Sequence, residues 1–317
     1  MKKFWRLLFV LVGALVCIVL LAIAFVYFGG IPSYDPPKVG FEVKPDSAKV
    51  EEGARLATML CGACHMAADG SYAGRLMAEA PKDFGTVYSA NITAHPEWGI
   101  GKWTNSEIAA FLRTGIKPSG QFAPLYMPRF VHMSDQDMES IIAFLRSNKK
   151  EVEAVALEQK KPEPSFWVKF LCRVAWKPME YPKVSIQAPD TNNLEVFGEY
   201  LVNARYDCYP CHSADFSKMD MLTPTNSLGY LGGGNKLFQM DGKEIFSANI
   251  TPHPDHGIGR WSADEFKAAL RFGKNPKGGL LRYPMLPYSL MSDKEAEAIF
   301  AYLRTVPVIN NKVKRDS

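Results

Sequence analysis

The 317-residue chain is too long for one small module and long enough for two domains that each bury a core. Its formal net charge is only +4, and Lys2, Lys3 and Arg6 place three of the positive charges at the N-terminus. The remainder is close to neutral and holds no basic run, which excludes nucleic acid as a partner.

Residues 7–28 read LLFVLVGALVCIVLLAIAFVYF without a charge. About 20 apolar helical residues cross a hydrocarbon core, so a single transmembrane helix is expected here. A cleaved signal peptide has a shorter apolar region followed by small residues. This run instead exits through Tyr27, Phe28, Gly29, Gly30, Ile31 and Pro32. The basic flank predicts that residues 1–30 anchor the chain in a bacterial inner membrane with everything after them on the periplasmic side. Cys17 lies inside the run after Val16 and reads as a small apolar residue.

A helix is expected around residues 51–60, leading into CGACH at residues 61–65. The segment SANITAHPEWGIGKW follows at residues 89–103. Thr104 and Glu107 then form a capping-box signal, and Ile108, Phe111 and Leu112 follow at helical spacing. Met127 sits in a proline-bearing loop ahead of a third helix, which opens at Ser134 and presents Ile141, Phe144 and Leu145 along one face. Residues 151–190 are rich in Pro, Lys and Glu, yet contain Phe166, Trp167, Phe170, Leu171, Cys172, Val174 and Trp176. So many apolar side chains suit an ordered strap between domains better than a solvated tether, with Cys172 packed rather than reactive.

The chain then repeats itself. A helix around residues 196–204 leads into CYPCH at residues 208–212, and residues 247–261 read SANITPHPDHGIGRW. Ser262 and Glu265 form a second capping box ahead of Phe266, Ala269 and Leu270. Met285 answers Met127, and MSDKEAEAIFAYLR from Met291 answers MSDQDMESIIAFLR from Met133, with Ile299, Tyr302 and Leu303 as its apolar face. The second copy is longer after its cysteine motif, where Gly229, Gly232, Gly233 and Gly234 predict a surface loop. Residues 31–150 and 191–317 are therefore expected to be two tandem domains.

C-x-x-C-H marks covalent c-type haem attachment. Two thiols one helical turn apart can bond the two vinyl groups of one haem, and the adjacent imidazole reaches the iron. Cys61, Cys64 and His65 are expected to hold one haem c, and Cys208, Cys211 and His212 a second. A redox dithiol or a zinc site would also use C-x-x-C, but neither explains a histidine directly after both pairs.

Met127 and Met285 lie where a sixth ligand must come from if the chain wraps the haem edge, and methionine serves electron-transfer cytochromes. His95 and His253 are also matched between the copies and are the rival pair, although both precede the middle helix. Met133 and Met291 read as packing on a helix start. Unrepeated His132 and His256 are expected at the surface. Trp103 and Trp261 suit either core packing or an indole N–H donated to a haem propionate. Asn91 and Asn249, with the glycines of G-I-G, are expected to turn the chain along the haem wall.

Two C-x-x-C-H motifs, each followed by N-I-T-x-x-P-x-x-G-I-G-x-W, a methionine-proline loop and a last helix ending in [FY]-L-R, resemble the class I multihaem cytochromes. In particular they are similar to the cytochrome c subunits of membrane-bound alcohol, gluconate and aldehyde dehydrogenases. The resemblance covers nearly all of residues 53–306 and implies an all-α fold of two tandem class I cytochrome c domains behind the membrane helix. Two departures stand out. Such subunits usually carry three haem domains, and an acidic residue commonly replaces His95 and His253. The expected function is electron transfer without catalysis by the chain itself, between a dehydrogenase or quinol-oxidising complex and a terminal oxidase or soluble cytochrome. A di-haem peroxidase is the enzymatic alternative, disfavoured because both copies offer a methionine at the same place where a peroxidase needs an openable iron. A haem subunit of a respiratory supercomplex, or a non-redox structural subunit, are the others.

Overall fold

The computed structural model describes residues 2–158 and 160–314, so Met1, Gln159 and residues 315–317 of the expected domain ranges lie outside it. Helix α1 (Lys2–Gly29) carries the N-terminal apolar run, is long and apolar enough to cross a membrane, and keeps almost every side chain exposed.

Helix α2 (Ser47–Leu60) starts earlier than the hydrophobic spacing implies, because the Asp46 side chain accepts from Lys49 N and supplies the N-cap. It runs directly into the one-turn helix α3 (Gly62–His65). Strand β1 (Gly85–Thr86) precedes α4 (Asn105–Thr114) and α5 (Asp135–Leu145), which begin at the expected caps, Thr104 with its Glu107 box and Ser134. In the strap, β2 (Glu163–Pro164) pairs antiparallel with β1 and α6 (Phe166–Val174) follows. The second copy supplies α7 (Leu194–Tyr200), a π-helical turn over Leu201–Arg205, the one-turn α8 (Tyr209–His212), a hairpin of β3 (Lys236–Phe238) and β4 (Glu244–Phe246), then α9 (Ala263–Phe272) and α10 (Asp293–Leu303). The molecule is helical, with the two small antiparallel pairs as additions to the expected elements.

Two apolar cores match the two copies. Leu56, Ile108, Leu112, Met133, Ile141 and Phe144 fill the first, and Leu201, Phe266, Leu270, Met291, Ile299 and Leu303 the second. Burying each such side chain contributes roughly 1.5–3 kcal/mol. Met133 and Met291 are thus core residues, as expected. Within each copy the first and last helices cross closely: a Cβ on Gly53 would lie 1.8 Å from the Ser140 carbonyl oxygen, and one on Gly198 would lie 1.9 Å from that of Ala298. Only glycine permits these crossings.

The glycine-rich loop is not on the surface. Leu231 is fully buried in the second core, and Gly233 N donates to His212 O at 2.6 Å. Gly74 makes the matching bond to His65 O at 2.9 Å. Both take positive φ, and a Cβ on either would meet backbone within 2.4 Å, so the glycines bring the chain under the cysteine motif rather than away from it. Surplus length goes instead to the residues between His212 and Gly233, chiefly 214–228, since the stretch from Gly233 to Ser247 is no longer than that from Gly74 to Ser89.

The strap is ordered as expected. Val168 and Cys172 of α6 are fully buried against Phe122, with Tyr34, Leu125, Tyr126 and Trp176 around them. Trp167 and Val174 depart from that expectation, at 60% and 56% exposed.

Candidate functional site

Each cysteine motif occupies one helical turn, closed by His65 N donating to Cys61 O at 2.9 Å and by His212 N donating to Cys208 O at 3.1 Å. That turn sets the paired cysteines on one side, at i and i+3. Burial pushes the Cys61 and Cys208 thiols up to about 12 and the Cys211 thiol to about 11. A redox dithiol needs a lowered thiol pKa, so the environment speaks against the thioredoxin-like alternative.

The two histidines are held identically. His65 Nδ1 lies 2.8 Å from Ala90 O, and His212 Nδ1 lies 2.8 Å from Ala248 O. A carbonyl has no proton to give, so Nδ1 carries it and Nε2 keeps its lone pair for a metal. Burial lowers the pKa of both imidazoles, against the raising effect of the carbonyl bond.

Those carbonyls are placed by the next residue along. Asn91 Oδ1 accepts from Thr93 N at 3.0 Å and from Thr93 Oγ1 at 2.6 Å, closing a turn, while its Nδ2 donates to Val155 O at 3.0 Å and Leu157 O at 3.2 Å. Asn249 repeats this, accepting from Thr251 N and Oγ1 at 2.9 and 2.7 Å and donating to Ile309 O and Asn311 O at 2.7 and 3.3 Å. The asparagines turn the chain as expected, and in addition tie down the segment that leaves each last helix.

His95 and His253 play the same local role in both copies. Nδ1 of each accepts two backbone N–H bonds, from Glu97 and Trp98 at 3.2 and 3.0 Å and from Asp255 and His256 at 3.2 and 3.0 Å. Each imidazole closes a local turn as an aspartate side chain would, which accounts for the departure from the acidic pattern. His256 stacks on His253 with ring centroids 4.7 Å apart. His132 is more than a surface residue, since its Nε2 meets Met221 O at 2.9 Å and joins the two copies.

Met127 and Trp103 pack with Cys61 on the first core, and Met285 and Trp261 pack with Cys208 on the second. Each methionine follows the same turn, Met127 N donating to Pro124 O at 3.1 Å and Met285 N to Arg282 O at 3.0 Å. Trp103 meets Phe111 edge-on at 5.5 Å.

Sequence reasoning missed the arginine that ends each [FY]-L-R. Arg146 donates to Ile100 O at 2.9 Å and to Trp103 O, and Arg304 donates to Gly259 O at 2.7 Å, so each last helix clamps its G-I-G loop. Their repetition was the available signal. A histidine whose Nδ1 is fixed on a carbonyl, leaving Nε2 its lone pair, two cysteines on one turn, and a methionine and tryptophan on the same apolar cluster fit haem c in both copies.

The cytochrome c family model matches residues 50–149. The cytochrome c subunit of the quinone alcohol dehydrogenase of Gluconobacter oxydans (strain 621H) is 31% identical over 281 residues, covering 83% of this chain and 56% of that protein. The fructose dehydrogenase cytochrome subunit of Gluconobacter japonicus is 31% identical over 265 residues, covering 78% and 50%. A diheme cytochrome c-type protein of Cereibacter sphaeroides is 29% identical over 269 residues, covering 78% of this chain and 82% of that one. The chain thus spans little more than half the length of the dehydrogenase subunits it matches. Residues 50–149 carry a cytochrome c domain, and the chain is a homologue of the cytochrome c subunits of quinone alcohol and fructose dehydrogenases.

Proposed function

We propose that the chain is a membrane-anchored di-haem cytochrome c whose tandem domains, residues 31–150 and 191–317 joined by the 151–190 strap, relay electrons on the periplasmic side of a bacterial inner membrane. Cys61, Cys64, His65 and Met127 would hold one haem, and Cys208, Cys211, His212 and Met285 the other. When bound, such a group cycles between ferric and ferrous iron and passes single electrons. The protein's part is to fix each imidazole through Ala90 or Ala248, to present a methionine thioether from the loop before the last helix, and to exclude water with the two cores. A methionine on each core supports transfer over bond chemistry, since a saturated iron leaves no place for substrate. Trp103 and Trp261 would either pack in the core beside the haem or donate an indole N–H to a propionate, and Asn91 and Asn249 would support the histidine side. The relatives' names support a dehydrogenase as the donor; a quinol-oxidising complex as the other donor, and a terminal oxidase or soluble cytochrome as acceptor, complete the proposed relay.

The observation that carries this reading is the duplicated histidine-to-carbonyl bond of 2.8 Å behind two C-x-x-C-H turns. Intact mass and the pyridine haemochrome of the chain, expressed with the haem-attachment machinery, are expected to give two haems per chain; one or none overturns it. Met127→His and Met285→His are each expected to lower one of two midpoint potentials in a spectroelectrochemical titration, because imidazole in place of thioether favours the ferric state. A potential that does not move would remove that methionine as a ligand.

A further inference from the structure

At about 100° per residue, the side chains of α6 fall on three arcs. Val168 and Cys172 form the inner one, buried against Phe122, Leu125 and Tyr126. Lys169 and Arg173 form the second and grip the end of α1. Lys169 Nζ donates to Tyr27 O at 3.1 Å and sits 5.0 Å from the centre of the Tyr27 ring. Arg173 donates to Gly30 O at 3.1 Å and lies 4.5 Å from the centre of the Phe25 ring. The third arc carries Phe166, Trp167, Phe170 and Val174, with Trp167 60% exposed and Val174 56% exposed. Phe166 and Phe170 stack at 6.4 Å, and Trp167 meets Phe170 edge-on at 6.1 Å.

This outer arc is apolar, aromatic and attached to the end of α1, the long apolar helix. The 28 residues of α1 make a rod of about 42 Å at 1.5 Å per residue. That exceeds the roughly 30 Å of hydrocarbon, so its last turns emerge into the headgroup layer. Because α6 is bound to residues 25–30, it is held at that depth. The chemistry suits the place: tryptophan and phenylalanine favour the interface, and exposed Lys160, Lys161 and Lys177 on either side of α6 complement anionic headgroups.

We propose that α6 is a second membrane contact, an interfacial helix lying on the leaflet from which α1 emerges, with Phe166, Trp167, Phe170 and Val174 at the acyl boundary. The inference rests on reading α1 as a span and adds an orientation to it. Leu125 and Tyr126, the two residues before Met127, pack on the inner arc, so α6 sets the first copy down with its methionine loop beside the bilayer.

The test uses the full chain in nanodiscs of phosphatidylcholine and phosphatidylglycerol, with Trp167, Leu15 or Leu222 replaced one at a time by photoreactive p-benzoylphenylalanine. All three side chains are exposed, so the fold tolerates the exchange. After irradiation, mass spectrometry is expected to show lipid adducts at 167 and 15 and none at 222. Adducts at 15 without adducts at 167 overturn the interfacial helix and leave the anchor standing. Absence of adducts at both removes the anchor reading as well. A crosslink from 167 to a second copy overturns the proposal in favour of a dimer surface.

Discussion

Asn249 shows how much one side chain can hold. Its amide is 1% exposed and makes four hydrogen bonds, two that shape the turn behind His212 and two that fasten the segment after α10. Asn249→Ala leaves buried donors and acceptors unpaired at roughly 1–3 kcal/mol each. A loss of about 3 kcal/mol is expected in denaturant unfolding, and Asn249→Asp should cost at least as much, since Oδ1 survives but a carboxylate oxygen replaces the Nδ2 donor opposite two carbonyl oxygens. A stability equal to the native chain in the alanine variant would sink this account. The repetition of Asn91 and Asn249 in the sequence marked them as turn residues. Their second task was illegible, because a side-chain bond to a carbonyl 60 or 62 residues downstream leaves no residue-type signature on the acceptor. The same holds for Ala90 and Ala248, whose alanine side chains say nothing about their carbonyls.

Elements were most legible where their signals are local. The caps at Thr104, Ser134, Ser262 and Ser292 stand where the hydroxyl-to-carboxylate spacing puts them. The π-helical turn escaped, although the sequence holds its arithmetic: Cys61 follows Gly53 by eight residues and Cys208 follows Gly198 by ten. With both glycines fixed at helix crossings, the surplus must be absorbed between them and the cysteines. The wide turn does so, with Tyr206 N reaching Leu201 O at 2.9 Å and Cys208 N reaching Val202 O at 2.8 Å. The crossings themselves make a test. Gly53→Ala puts a methyl against the Ser140 carbonyl at 1.8 Å, so α2 and α5 must part. Overpacking typically costs about 1–3 kcal/mol, and a backbone clash belongs at or above the upper end. Thermal unfolding of Gly53→Ala should show it, whereas the open position Gly13 should accept alanine without change.

At the scale of the whole molecule, the two copies are joined through their cysteine-side helices by a buried charge cluster. Arg205 donates to both oxygens of Asp137 at 2.6 and 2.7 Å and to Glu295 at 2.7 Å. Arg55 from the first copy forks onto Glu295 at 2.8 and 2.9 Å. Asp137 and Glu295 are equivalent residues of the two last helices, so the contact is nearly symmetric, each helix offering its carboxylate to the other copy. Burial alone would raise the Glu295 carboxyl, but the Arg55 fork, the Ser292 cap and Arg205 override it and hold it at about 2, below its ordinary 4.5. A depressed carboxyl contributes stability that is complete above about 4.5 and lost as pH falls from there through about 2, on the order of 3 kcal/mol. Denaturant midpoints taken from pH 6 to pH 2.5 should therefore fall more steeply for the native chain than for Glu295→Gln.

Arg205 is the member that touches both carboxylates, which makes its removal the sharper experiment. Arg205→Met keeps much of the side-chain volume but takes the guanidinium away from Asp137, which is 4% exposed, while Arg55 still pairs Glu295. Breaking a buried pair from one side costs about 3–5 kcal/mol, most of it the desolvation of the charge left behind. Since that cost falls on the contact between the copies and not on either core, the variant should unfold in two calorimetric steps where the native chain unfolds in one. Adding Asp137→Asn to Arg205→Met should recover part of the loss, because it removes a stranded charge without restoring the bridge. A single variant that melts in one step at the native temperature would mean that the apolar contact of Met59 and Leu60 with the second core, and not the charge cluster, holds the copies together.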